Sequence, residues 1–115
     1  MKIGIISTGE NARKIIQLII TGLNQCHRML YQDPNPVNAI KTIGLIDEYG
    51  VFILDVPDTD QLSGAVKELR VRVKGEIPIF VWLASAEMAV RAMHLNVSFI
   101  DEKNIVGEIT RLLDQ

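Results

Sequence analysis

The chain has 115 residues, 48% of them hydrophobic and 23% charged, which fits one globular domain with one core over residues 1–115. A net charge of −2, with basic and acidic residues mixed as in Lys67, Glu68, Arg70, Arg72, Lys74 and Glu76, gives no basic footprint for nucleic acid and reads as a solvated helix face. The lone Cys26 excludes an internal disulfide and reads as a small buried hydrophobe, and the longest uncharged run, residues 15–27, is too short and too polar to span a bilayer.

Residues 2–7 form a short, Ile-rich apolar run, as suits a strand buried on both faces. A turn at Thr8, Gly9, Glu10 and Asn11 leads into a first helix over residues 12–24. Its apolar residues Ile15, Ile16, Leu18, Ile19, Ile20 and Leu23 spread over about half the circumference at about 100° per residue. That is wider than a sheet-covering helix needs, so either a neighbour buries it further or one edge, near Ile20, meets a partner or a second copy. Residues 28–31 form a weaker second strand, expected near an edge. In Asp33-Pro34-Asn35-Pro36, Asn35 is placed to cap a helix and Pro36 to occupy its first position. That second helix is expected over residues 37–48, with Ile40, Ile43 and Ile46 inward and Gly50 closing it, although Gly44 falls inside.

Residues 51–56 are a third, continuous apolar strand. A third helix starts near Thr59 or Asp60, buries Leu62, Ala65, Val66, Leu69 and Val73, and ends at Gly75. Residues 77–83 are a fourth strand, with Pro78 at its beginning, where a missing donor is tolerated. A short helix over residues 86–94, a fifth strand over 97–100 and a last helix over 104–113 complete the chain, the last with Ile105, Ile109, Leu112 and Leu113 on one side. Five strand–helix alternations with short links specify an α/β fold: a three-layer, doubly wound, five-stranded parallel sheet. Right-handed crossovers leave few topologies, of which the flavodoxin-like order 2-1-3-4-5 is the expected one.

Sites on such sheets form outside the carboxyl ends of the strands. The residues placed there are Ser7, Thr8 and Glu10, then Asp55 and Asp58, then Ser85 and Glu87, then Asp101, Glu102 and Lys103. Asp55 ends the run Val51-Phe52-Ile53-Leu54, where a carboxylate can accept a phosphoryl group or help to hold a divalent metal. Its bland alternative is a strand-end carboxylate bonded to a nearby backbone amide. His27 and His94 have no ligand spacing for zinc, and Asp55, Asp58 and Asp60 lack the glycine and distal glutamate of a calcium loop. Ser7-Thr8-Gly9 ahead of Arg13 and Lys14 is not a phosphate-binding fingerprint and reads as a helix cap; Ser7 has no nucleophile-elbow pattern.

At Ile53-Leu54-Asp55-Val56-Pro57, Ile77-Pro78-Ile79-Phe80-Val81-Trp82-Leu83-Ala84 and Phe99-Ile100 the chain resembles the receiver domains of response regulators, over nearly its whole length. The resemblance implies a receiver-like fold with Asp55 at the phosphoacceptor position. It also implies a contact surface on the side of the fourth helix, fifth strand and fifth helix, with Arg91, His94, Glu108 and Arg111 on it. The chain departs from the receiver pattern where the chemistry sits. Ser7-Thr8 stand where receivers carry paired acids for magnesium, and Glu10 is displaced. Leu83 stands at the hydroxyl position, with Ser85 two residues on. Glu102 stands nearest the lysine position, with Lys103 one off, and Pro57 comes two residues early. Without those charges a metal is held weakly and developing phosphoryl charge is poorly stabilised.

Gly50 to Asp55, Ile77-Pro78-Ile79-Phe80 and Glu87-Met88-Ala89-Val90-Arg91-Ala92-Met93 also resemble the N-terminal, receiver-like domain of bacterial lysine, ornithine and arginine decarboxylases. That resemblance implies an assembly domain whose pyridoxal-phosphate site lies elsewhere. The expectation is a non-catalytic receiver-like domain, neither an enzyme nor a metal or cofactor protein. It works in regulation or assembly through a protein partner or self-association, away from membranes and nucleic acid, in the cytoplasm. The alternative is a true phosphoacceptor of a two-component system, with Mg²⁺ and Asp55. A third reading, a small-ligand binder at the strand ends, predicts a thermal shift with phosphate or nucleotide.

Overall fold

The computed structural model describes residues 1–23 and 26–114. Strands and helices alternate: β1 (Lys2–Ser7), α1 (Ala12–Gly22), β2 (His27–Gln32), α2 (Pro36–Lys41), β3 (Val51–Asp55), α3 (Thr59–Arg72), β4 (Ile79–Trp82), α4 (Ala86–Arg91), β5 (Ser98–Ile100) and α5 (Ile105–Leu113). All pairings are parallel and the order is β2-β1-β3-β4-β5, the one expected among the few that the alternation and crossover handedness leave.

The strand period of two sorts the apolar residues onto two faces. Ile3, Ile5, Ile53, Phe80 and Trp82 pack under Ile15 and Ile19 of α1 and Ile105 and Ile109 of α5. Ile6, Phe52, Leu54 and Val81 pack under α2, α3 and α4 through Ile40, Leu62, Ala65, Val66, Leu69 and Met88. β3 lies in the middle and is buried throughout, which is why its sequence shows no alternation. β2 lies at an edge and is mostly exposed, which is why its sequence is more polar. Cys26 is buried in the α1/α5 layer, as read from the sequence.

Several boundaries differ from those expected. The second helix does not run to Glu48: α2 ends at Lys41, where the Thr42 hydroxyl donates to the Ala39 carbonyl at 2.6 Å. After Gly44, Leu45 takes φ 50°, and a separate 3-10 turn follows at Ile46–Glu48. Ile40, Ile43 and Ile46 are nevertheless all buried in the same core cluster. The fourth helix stops at Arg91 and resumes as a 3-10 turn, Met93–Leu95, ended by Asn96 at φ 55°. β4 starts at Ile79 rather than residue 77, since Pro78 has no N–H to give to a ladder. Val73 and Leu112 are only half-buried, and Leu113 is exposed. α1 ends at Gly22 with Leu23 already extended at φ −139°, short of the expected end, and Asn24 lies outside the described residues.

One aromatic cluster ties β1, β2 and β3 together. The Tyr49 ring stacks on Phe52 with centroids 4.9 Å apart, and the Tyr49 and Tyr31 hydroxyls lie 2.5 Å apart. Burial, reinforced by the Tyr31 hydroxyl, pushes the Tyr49 phenol well above its ordinary value of 10.0. The fold thus favours the neutral phenol. That stabilisation is complete below about pH 10, where the unfolded chain ionises, and is lost as the pH rises past it. Tyr49→Phe should therefore flatten the alkaline loss of stability, as measured by urea unfolding at stepped pH; an unchanged decline would remove this account.

Candidate functional site

Parallel register brings Ser7, the last residue of β1, beside Asp55, the last residue of β3. Both are buried, Ser7 at 2% exposure and Asp55 at 1%. The Ser7 hydroxyl donates to Asp55 Oδ2 at 2.8 Å. The Asn11 main-chain N–H donates to the same oxygen at 2.9 Å, and Asn11 Nδ2 donates to Oδ1 at 3.3 Å. The Asp55 carbonyl in turn accepts from the N–H groups of Thr8 at 3.0 Å and Gly9 at 3.2 Å. The loop from β1 to α1 is therefore wrapped around one residue of β3. Gly9 permits the approach: a Cβ there would lie 3.0 Å from Asp55 Oδ1.

These contacts give the carboxylate a defined electrostatic setting. Neutral donors from a hydroxyl, an amide and a backbone N–H offset part of the cost of burying it. None of the ion pairs among the described residues includes Asp55. No group of three or more His, Cys, Asp or Glu side chains among the described residues is placed to hold a metal ion. Asn11 is the residue that sequence reading missed. The sequence places it in the turn and assigns its side chain no role. It occupies the cap position of α1, yet makes no side-chain cap bond because the side chain goes to Asp55.

The other strand-end residues are occupied with helix starts. Asp58 accepts from the Gln61 N–H at 2.9 Å and caps α3. Ser85 accepts from the Met88 N–H at 3.1 Å and caps α4. Asp101 and Asn104 bond each other's backbone ahead of α5, with Asp101 Oδ1 also accepting from the Lys103 N–H at 2.9 Å. The Lys103 side chain is exposed, as is Glu10, and Glu102 pairs with Lys14 of α1. Thr8 contributes its backbone N–H. Of the expected constellation, only Ser7, Thr8 and Asp55 are brought together.

Two hollows open at this end of the sheet. One, about 290 Å³, is lined by Asp58, Ser85, Glu87 and Arg91, and one, about 320 Å³, by Ser7, Thr8, Gln32 and Asp33. A larger groove of about 730 Å³ lies at the opposite end, by Arg70, Ile77, Pro78 and Asn96. Of the surface residues, Ile20, Arg91, His94 and Arg111 are exposed, while Glu108 is half-buried and pairs with Arg111. No helix among the described residues is long and apolar enough to cross a membrane.

No family model matches the chain, and no curated protein matches its sequence. Among solved structures, the chain is similar to a CpaE pilus assembly protein from Burkholderia thailandensis, with TM-score 0.72 at 16% identity over 100% of this chain and 99% of that one. It is also similar to a response regulator receiver protein from Pseudoalteromonas atlantica, with TM-score 0.67 at 16% identity over 99% of this chain and 98% of that one. The fold is thus receiver-like, as the strand order and the sequence resemblance both indicated.

Proposed function

We propose that the chain is a receiver-fold module that serves signalling or assembly through protein contacts, with Asp55 as a structural residue and no phosphoryl chemistry of its own. The observation that carries this reading is the state of the carboxylate. It is 1% exposed, bonded by Ser7 and Asn11, and part of no metal-ligating cluster among the described residues. An aspartate that accepts a phosphoryl group has to offer a free oxygen beside a cation that neutralises the incoming charge. Here one oxygen already accepts two hydrogen bonds, and the residue at the lysine position, Glu102, carries the wrong sign. Receiver-like neighbours include a pilus assembly protein as well as a signalling receiver, which supports assembly and signalling alike. The reading as a decarboxylase N-terminal domain rests on the short segments of resemblance alone. A single domain, free of cofactor and cytoplasmic, belongs to the same proposal.

Incubation with acetyl phosphate and Mg²⁺, followed by intact mass, tests it. No mass gain is expected. A gain of one phosphoryl group that disappears in Asp55→Asn would establish the phosphoacceptor reading instead.

A further inference from the structure

The outer edge of β2 carries a pattern of its own. The His27 N–H donates to the Met1 carbonyl at 3.0 Å, so residue 27 turns its peptide groups toward β1. Alternation along the strand turns Met29 and Tyr31 the same way, and turns Arg28, Leu30 and Gln32 outward. β2 ends the sheet, and among the described residues no backbone bond from a turn or loop reaches those three from outside. The strand is long for an edge and contains no proline, glycine or bulge to blunt it. Met29 is 45% exposed and Leu30 38%.

The geometry points to a second copy of this chain as the occupant: two β2 strands pair antiparallel about a two-fold axis through Leu30, joining the two sheets into one. A two-fold perpendicular to the sheet keeps its faces continuous, so each residue must meet one of the same facing. With Leu30 opposite itself, Arg28 meets Gln32 of the other copy. All three outward residues then exchange main-chain bonds, on the order of six in total. The same register sets Met29 against Tyr31, a sulfur–aromatic pair, and His27 against Asp33, a ring N–H donor opposite a carboxylate acceptor. No like charges face each other. The next symmetric register, Met29 on itself, leaves Gln32 beyond the paired segment and sets Arg28 against Leu30.

Helix α1 supports the same axis. Leu30 pairs with Ile5, so its side chain is on the α1 face of the sheet. Ile15 and Ile19 point down, and the Gly22 backbone packs against Val106 of α5. At about 100° per residue, Ile16 and Ile20 then fall on the flank away from α5, toward β2. Ile20 is 41% exposed there. In the paired arrangement this flank and Leu30 meet their own copies across the axis, so side-chain burial adds to the main-chain bonds.

This inference is independent of whether Asp55 accepts phosphate: the mass assay above reads the site, and hydrodynamic mass reads the edge. Light scattering and sedimentation velocity up to millimolar concentration should give a dimer. Leu30→Arg and Ile20→Lys should halve that mass with an unchanged circular dichroism spectrum. Leu30→Pro should do the same, since it removes only an outward N–H. In a Cys26→Ser background, oxidised Leu30→Cys should cross-link to a covalent dimer while Val71→Cys, also exposed, should not. A chain that is monomeric throughout would overturn the inference, and so would a dimer that survives Leu30→Arg. Cross-linking of Leu30→Cys no faster than Val71→Cys would count equally against it.

Discussion

Asp55→Ala is expected to destabilise the fold by about 2–4 kcal/mol, because it strands the donors that converge on the carboxylate. The buried Ser7 hydroxyl keeps only its longer contact, 3.3 Å, to the Gly9 carbonyl, and the Asn11 N–H and side-chain amide lose their acceptor. Bonds to a charged acceptor contribute about 1.5–3 kcal/mol each, but the half-buried loop lets water replace part of the loss, so the total falls short of the sum. Ser7→Ala should cost about 1.5 kcal/mol, the low end of that range, since it removes one donor and leaves the acceptor with its others. Asp55→Asn should fall between the two: it keeps one oxygen and turns an NH₂ toward a donor. Urea unfolding measures all three. The sign separates two roles for the residue. An aspartate held in readiness for chemistry is typically a cost to the fold, and its removal is neutral or stabilising. A gain in stability on Asp55→Ala would sink the structural role proposed here.

The second large effect is in the core. Phe52→Ala should cost about 3–5 kcal/mol through the cavity it leaves between β1 and Tyr49. Phe52 is fully buried, stacked on Tyr49, and its ring fills the space above Gly4, where a Cβ would lie 2.5 Å from Phe52 Cε1. Gly4→Val alone should therefore overpack the same space, at about 1–3 kcal/mol or more. The double variant should be more stable than the sum of the two predicts, because valine occupies part of the vacated volume. A double-mutant cycle by urea unfolding reads that coupling; additive effects would mean that the two positions do not share the space.

How much of this was legible beforehand differs by level. The strand order follows from local patterns joined to one rule of handedness, so β1 and β3 fall where the apolar runs put them. The caps at Asn35, Asp58 and Ser85 are short-range chemistry, in which a side chain bonds a backbone N–H two or three residues on. The Pro after Asn35 marks it as a cap in the sequence, whereas Asp58 and Ser85 carry no such mark, because position at a strand end is shared by caps and catalytic groups alike. The break in the second helix was signalled by Gly44, but the isoleucine spacing outweighed it, since a spacing of three suits a helix and a 3-10 turn equally well.

The sequence by itself determined the alternation, the winding, the layers and the placing of an acid at the mouth of the sheet, all of which rest on periodicity and on neighbours in the chain. Tertiary structure alone decided what that acid does. Its partners Ser7 and Asn11 lie 48 and 44 residues away and reach it only through the register of β1 on β3. The same holds for the edge of β2, whose composition marks it as exposed, while the outward turn of Arg28, Leu30 and Gln32 is fixed by the register of β2 on β1, beginning with the bond from His27 to Met1. Hydrogen-bond direction across strands depends on register, and register is a property of two segments together, which neither sequence carries alone.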